Sequence, residues 1–264
     1  MKNLFTALFL TAATATTVQA QTTVSFGPRL GLNISNFSYK YGNIPAGLSN
    51  EASAIAGVQV GGTLNVGFGK FAFQPSLLFS QKGAELKFSA VDNTNVPYVT
   101  TITYTATPKL NYLEVPLNFV YTSDTDNGFQ VFAGPYVAFG VGGNGSSKLA
   151  ITSNDPDVLM SGAVNSFPIA LTIEYGSKQN ANTQLDDALN NGLASSPEVI
   201  ATFRRFDAGL NAGLGYRVGP FQAQIGYSLG LLNLTPNDPD GNDTDGKIYN
   251  RGFQLTANYF FGNK

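Results

Sequence analysis

The sequence has no histidine, no cysteine and no tryptophan among its 264 residues, and only 12% of its residues are charged. Without histidine and cysteine, the protein cannot form a Ser-His-Asp triad, a cysteine nucleophile, a disulfide or a zinc site of the usual His/Cys type. Its 15 basic residues against 17 acidic ones give no excess of positive charge for nucleic-acid phosphates. We therefore expect a non-enzymatic protein with no cofactor, no metal site and no nucleic-acid partner.

The low charge is informative because the hydrophobic content, 43%, is ordinary. Soluble domains average roughly 25% charged residues, so something other than charged side chains covers this protein. A membrane would do so. After residue 20, however, no stretch approaches the ~18 consecutive apolar residues that a transmembrane helix needs, which leaves strands as the spanning elements.

Residues 1–20 have the pattern of a secretory signal peptide. Lys2 provides the positive start, residues 4–10 the apolar segment, and Ala20 the small residue before cleavage. We predict cleavage near Ala20, export from the cytoplasm, and a single domain over residues 21–264.

The remaining sequence alternates between apolar and small polar residues. The last segment is an example, with Phe253, Leu255, Ala257, Tyr259 and Phe261 on one phase and Gln254, Thr256 and Asn258 on the other. About eight such segments recur, each of about ten residues, the length of a tilted membrane-spanning strand. They begin near Thr23, Gly57, Phe71, Tyr112, Phe129, Arg205, Phe221 and Phe253.

Short and long connections between these segments alternate along the chain. The short connections are 67–70, 122–128 and 218–220, and the long, polar ones are near 38–53, 82–108, 143–202 and 232–250. Outer-membrane barrels have short periplasmic turns and long extracellular loops. The sequence therefore predicts an all-β fold, an eight-stranded antiparallel up-and-down transmembrane β-barrel with long extracellular loops.

Two alternatives remain open. The alternating run from Phe167 to Tyr175 favours an additional strand in the longest connection, which would give a ten-stranded barrel. A soluble periplasmic β-protein would have the same period, but its polar phase would carry more charge than this one does.

Aromatic and proline positions add detail. The strand ends at the short turns are rich in Phe and Tyr, as in the aromatic girdle of a membrane barrel. A weaker second girdle at the other end would use Phe37, Tyr39, Phe79, Phe139 and Phe206. Pro28, Pro75, Pro116 and Pro135 fall inside predicted strands, where each removes a hydrogen-bond donor, so we expect bulges or frayed pairing there.

Five charged residues lie on the phase predicted to face the lumen. They are Arg29, Glu114, Arg205, Asp207 and Arg217. Because an unpaired buried charge costs several kcal/mol, the sequence predicts an interior salt-bridge network that fills the lumen. A polar conduit or ligand cradle is the functional alternative.

Two motifs have simpler interpretations than their patterns suggest. The segment Gly140–Gly145 matches G-x-G-x-x-G, but no helix follows to receive a pyrophosphate, so we expect a strand end entering a loop. Residues 238–246 are rich in Asp, yet the EF-hand spacing fails at Asp243 and Tyr249. A hydrated loop is expected, with weak Ca²⁺ binding as the alternative.

The sequence resembles the PorT-like outer-membrane β-barrel family of Gram-negative bacteria. The resemblance lies in the segments 27–33 (GPRLGLN), 74–83 (QPSLLFSQKG), 111–117 (NYLEVPL) and 132–136 (FAGPY), and in the aromatic-rich last strand. It implies an eight-stranded barrel in the outer membrane without shared catalytic residues. Some relatives are linked to protein secretion and gliding. The connection near 143–202 is longer than the resemblance implies.

These observations together predict a structural, adhesion or assembly and secretion-accessory role through the extracellular loops. The expected partners are outer-membrane lipid, the barrel assembly machinery, and an extracellular or secretion-complex protein. The alternative is a porin-like channel for small solutes, which ranks lower because side chains nearly fill an eight-stranded barrel. A barrel enzyme acting on lipids is a third hypothesis and, without histidine, would need an unusual base such as Asp207 or Glu114.

Overall fold

A computed structural model describes residues 22–40, 48–125, 127–162, 164–179, 198–244 and 246–262. The predicted signal peptide, residues 1–20, lies outside these ranges. None of the helices in the described ranges is long and apolar enough to cross a membrane.

Ten strands and one short helix form within the described part of the chain. They are β1 (Thr22–Lys40), β2 (Leu48–Phe68), β3 (Phe71–Asp92), β4 (Thr100–Thr122), β5 (Asn127–Ser153), α1 (Pro156–Met160), β6 (Ser166–Tyr175), β7 (Glu198–Phe203), β8 (Phe206–Val218), β9 (Phe221–Gly230) and β10 (Lys247–Tyr259).

All ten strands belong to one sheet, which closes into a barrel-like ring. Antiparallel pairing runs from β1 through β2, β3, β4 and β5 to β8, β9 and β10, and β10 pairs with β1. Beyond the last β5–β8 pair at Phe139, β6 takes over the same edge of β5, and β7 pairs with β6 in parallel.

The strand count therefore fits the ten-stranded alternative, and the eight strands predicted first are not confirmed. The extra strands come from the long connection near 143–202, where the alternation from Phe167 to Tyr175 forms β6. The predicted barrel is entirely antiparallel, whereas β6 and β7 pair in parallel. They do so because both strands run in the same direction, toward the end of the barrel that holds the short turns.

The alternating sequence places apolar side chains outside and polar side chains inside. In β1, Leu30 is 61% exposed, whereas its neighbour Arg29 is 1% exposed. Gln59, Gln74 and Gln222 are likewise buried within the ring. Successive residues of a strand point to opposite faces, so the polar residues of a strand face the lumen when its apolar residues face outward. The predicted orientation, with the apolar phase outward, is confirmed.

Several strands are much longer than a membrane crossing. On β3 the outward apolar stretch runs from Phe71 to Phe79, which covers ~23 Å at ~3.3 Å per residue and a tilt of ~40°. Farther along, Glu85 and Lys87 are exposed. The 23 residues of β4 reach ~60 Å by the same geometry. Much of the predicted loop 82–108 is therefore strand that projects beyond the apolar band.

The short turns have the predicted positions. Gly69 (φ 66°) and Gly219 (φ 55°) begin the β2–β3 and β8–β9 turns with positive φ. A two-residue hairpin loop that needs positive φ at its first central residue favours glycine there. The strand ends Thr22 and Tyr259 lie at this same end, called here the short-turn end.

The prolines interrupt pairing without shifting it. Pairs are missing in the β3–β4 ladder between Pro75 and Leu78, and in the β4–β5 ladder between Pro116 and Phe119, while the register on both sides is the same. The frayed pairing predicted there is confirmed. A register shift occurs away from the prolines, where Asn111 pairs with Gly142 and Tyr112 pairs with Gly140. This position lies inside the glycine motif Gly140–Gly145. The motif therefore forms a bulge within β5, and the strand end predicted there is wrong.

Aromatic rings form pairs around the short-turn end. Ring centroids are 5.2 Å apart for Phe71–Tyr121, 5.1 Å for Phe73–Phe119 and 4.8 Å for Phe221–Tyr259. At the other end, Phe139 and Phe206 pair at 6.0 Å on the outer surface. Phe37, predicted for this second girdle, is instead 3% exposed and lies inside the ring.

Candidate functional site

The interior near the short-turn end is bridged by neutral polar side chains. Gln74 on β3 and Gln222 on β9 exchange two hydrogen bonds, in which Nε2 of each donates to Oε1 of the other at 2.9 and 3.2 Å. Because β3 and β9 are not neighbours in the ring, these bonds cross the lumen. Thr63 on β2 similarly donates to Oδ1 of Asn258 on β10 at 3.1 Å. Amide side chains thus occupy the space that a channel would need.

A buried ionic cluster lies farther along the lumen, centred on Lys82. Its Nζ is 2.8 Å from Oε2 of Glu114 and 4.0 Å from Oδ2 of Asp207, and both carboxylates are 0% exposed. Three strands meet here, since Lys82 lies on β3, Glu114 on β4 and Asp207 on β8. One cation is thereby shared by two anions, which ties together strands on different sides of the ring.

Aromatic and amide groups complete the cluster. Tyr136 donates its hydroxyl proton to Oδ2 of Asp207 at 3.2 Å, and Asn250 Nδ2 donates to the same oxygen at 2.9 Å. The Lys82 ammonium also lies 4.3 Å from the ring centroid of Tyr136. A cation over an aromatic face is stabilised by the ring quadrupole. The remaining space beside Lys82 and Asn250 is about 10 Å³, roughly the volume of one water probe.

The structure brings together only some of the charges singled out from the sequence. Arg29 is buried within electrostatic range of Glu114, but in the described part of the chain its guanidinium has no carboxylate within 4.0 Å. Its Nε and Nη1 atoms are buried without a hydrogen-bond partner. The salt bridge of Glu114 is formed with Lys82 instead.

Arg205 and Arg217 lie elsewhere. Arg205 is exposed, with its guanidinium carbon 5.4 Å from the ring centroid of Phe139. It follows the end of β7 and precedes β8, so the alternation of a strand does not apply to it, and its predicted lumen position is wrong. Arg217 is half-buried at the β8–β9 turn, where its Nε donates to the Gly219 carbonyl at 2.9 Å. It is thus far along β8 from Asp207.

Lys82 is the residue that the sequence prediction missed. It lies at the start of the connection predicted near 82–108, where Gln81 and Gly83 interrupt the apolar phase. Lys82 nevertheless lies an even number of residues after Gln74 and Ser80, whose side chains point inward. This two-residue period is the sequence feature that could have predicted its position in the lumen.

Beyond the ionic cluster, the interior becomes apolar. The side chains of one buried cluster come from six strands and one connection: Phe37, Ala84, Leu86, Ala106, Leu110, Tyr112, Tyr136, Ala138, Leu171, Ile173, Phe203 and Leu234. Leu110, Tyr112 and Leu234 are 0% exposed. Strands β6 and β7 thus contribute side chains that fill the ring where it projects beyond the apolar band.

The Asp-rich loop uses its own carboxylate. Asp238 Oδ1 accepts hydrogen bonds from the backbone N–H groups of Gly241 and Asn242, both at 2.7 Å, and Asn242 Nδ2 donates to Oδ2 at 3.1 Å. These bonds, first the one from the Asn242 side chain, lower the pKa of Asp238 below its ordinary value. Within the described residues, no group of three or more Asp and Glu has the geometry to hold a metal ion.

Comparison with known proteins identifies the family. A family model described as an outer membrane protein beta-barrel domain matches residues 19–235. Among solved structures, a NanC porin in a rhombohedral crystal form is similar with 9% sequence identity, over 90% of this chain and 98% of that one, with a TM-score of 0.24. No curated protein matches. Because the family match covers most of the sequence, the chain belongs to the outer membrane protein β-barrel domain family.

Proposed function

We propose that this protein is a closed, non-enzymatic barrel whose function lies on its projecting end, in adhesion, membrane organisation, or the assembly and secretion of other proteins. The projecting end would face outside the cell and the short turns the periplasm, after removal of residues 1–20. The resemblance to PorT-like barrels, some of which are linked to protein secretion, is the reason for including a secretion-accessory role in this proposal. The expected partner is an extracellular or secretion-complex protein.

The observation that carries this proposal is that the described residues form three successive layers of side chains within the lumen. From the short-turn end outward, the interior holds the Gln74–Gln222 bridge, the Lys82 cluster and then the apolar cluster around Leu110 and Tyr112. A solute would have to break cross-lumen hydrogen bonds, a buried ion pair and a packed apolar core in turn. This arrangement supports a structural barrel over a porin-like channel.

Single-channel recording tests the proposal. The purified full-length protein, reconstituted in a planar bilayer, should show no ion conductance under conditions in which an established porin conducts. Heat-modifiability on a detergent gel confirms that the reconstituted barrel is folded. Stable conductance steps from folded protein would contradict the closed-lumen proposal and favour the channel.

A deletion strain separates the two functions in the cell. Loss of the protein should impair surface attachment or secretion and leave small-solute uptake unchanged, with recovery when the gene is restored. If instead uptake fell while attachment and secretion were normal, the projecting end would not be the working surface.

A further inference from the structure

A cleft of about 660 Å³ lies on the wall of the projecting end, where β6 ends and β8 begins. One wall is formed by Tyr175 and Ser177, and the other by Arg204, Arg205 and Phe206. Asn237 from the β9–β10 connection closes the third side. Among the described residues, its ionisable lining is thus the guanidinium groups of two consecutive arginines and one phenol, without a carboxylate.

Backbone hydrogen bonds hold the walls of this cleft in place. The N–H groups of Gly176 and Arg204 donate to the carbonyls of Phe203 and Leu234 at 3.0 and 2.8 Å. Asn237 N–H donates to the Ser177 carbonyl at 2.9 Å. Since strands and paired connections form the site, it needs little ordering before it binds a ligand, which favours affinity.

Among the described residues, no carboxylate forms a salt bridge with either arginine. The Nη2 atom of Arg204 donates to Oδ1 of Asn237 at 2.7 Å, while its Nε is buried without a hydrogen-bond partner. Arg205 lies on the Phe139 ring and remains exposed. In the described part of the chain, no acidic group lies within 4.0 Å of either guanidinium. Arginine forks match the oxygens of a phosphate group.

The cleft also borders the surface predicted to contact lipid. Phe139 and Phe206 are the last pair of the β5–β8 ladder, and their rings are 43% and 55% exposed. They therefore mark the outer edge of the apolar band, the level at which lipid headgroups begin. A ligand with a phosphate head and an apolar body would place the head on the arginines and the body against these rings.

We propose that this cleft binds the phosphate group of a phosphorylated glycolipid in the outer leaflet of the membrane. Both parts of the site favour a lipid over a free anion, because the exposed rings adjoin the guanidinium pair. The proposal requires the barrel to span the membrane but is independent of whether the lumen is closed.

Lipid retention measured by native mass spectrometry tests the proposal. The full-length protein is released from phosphatidylcholine nanodiscs that contain a minor fraction of diphosphorylated lipid A. The wild type should retain lipid A, and Arg204→Gln/Arg205→Gln should retain roughly tenfold less, because two charge-assisted contacts to phosphate are lost. Dephosphorylated lipid A should be retained no better by the wild type than by the variant.

A matched control removes the same charge at the same end of the barrel. Lys87 and Lys148 are exposed, with the cleft lined by other residues, so Lys87→Gln/Lys148→Gln should retain lipid A like the wild type. Arg205→Gln alone, which changes only an exposed side chain, keeps the test valid if the double variant fails to fold. Heat-modifiability verifies each barrel.

Three results would overturn the proposal. The first is equal lipid A retention by the wild type and the arginine variants. The second is an equal loss in the lysine control, which would indicate attraction by overall charge. The third is displacement of lipid A by inorganic phosphate at comparable concentration, which would indicate a site for a free anion.

Discussion

Replacing Lys82 by Met tests whether the buried ionic cluster holds the barrel together. Met has similar length and removes only the charge and its hydrogen-bonding capacity. The substitution leaves Glu114 and Asp207, both 0% exposed, without the ammonium that lies 2.8 and 4.0 Å from their oxygens. It also removes the cation from the Tyr136 ring.

The expected loss in the free energy of unfolding is large. Removing one member of a buried ion pair costs roughly 3–5 kcal/mol, because the partner remains charged and desolvated. Asp207 keeps its bonds from Tyr136 and Asn250, so most of the loss comes from Glu114. Replacing both partners, as Lys82→Met/Glu114→Gln, should therefore cost less than the sum of the single changes by about 2 kcal/mol.

Denaturant unfolding in lipid vesicles measures these values, with folded and unfolded barrels separated by their gel mobility. Lys87→Met is the matched control, since Lys87 lies on the same strand but is exposed outside the ring. A substitution at an exposed site of this kind should change the free energy of unfolding by no more than ~0.5 kcal/mol. If Lys82→Met cost no more than the control, or if the double variant were strictly additive, the reasoning about the cluster would be refuted.

Two further predictions concern backbone packing and orientation. Gly61→Ala should destabilise the barrel by roughly 1–3 kcal/mol, because its Cβ would lie 2.0 Å from the Leu77 carbonyl oxygen. The neighbouring Gly62→Ala should be nearly neutral in the same unfolding assay, because its nearest atom is 3.7 Å away, and equal losses would count against close backbone approach as the reason. Because the sequence has no cysteine, Lys87→Cys should react with an impermeant maleimide on intact cells, and Lys70→Cys only after permeabilisation. The opposite labelling pattern would show that the barrel has the reverse orientation.

Much of the barrel could be predicted because its alternation is simple. Leu30, Leu32 and Ile34 share one phase of β1, while Arg29 and Asn33 share the other, and a strand places these phases on opposite faces. Because only 12% of the residues are charged, the sequence also predicts that the apolar face contacts lipid. The turn glycines Gly69 and Gly219 and the pairing gaps beside Pro75 and Pro116 followed from equally local rules.

The candidate site is harder to predict from the sequence, because it depends on the register between distant strands. The alternation predicts that Glu114 and Asp207 point inward. It does not identify Lys82 as their common partner, because Lys82 lies beyond the apolar run of its strand. Arg205 was misplaced because it lies between two strands, where alternation no longer decides which way a side chain points. The bulge at Gly140 reverses the inward phase of β5, so that Ser147 and Leu149 are buried.

The sequence by itself determined the strand period, the outward apolar face and the order of short and long connections. These properties depend only on which residue types recur at every second position. The tertiary structure decided the strand count, the Lys82–Glu114 partnership and the apolar filling of the projecting end. Each of these depends on which residues oppose one another across the closed ring, and a one-residue change in register would reverse the direction of every side chain in a strand.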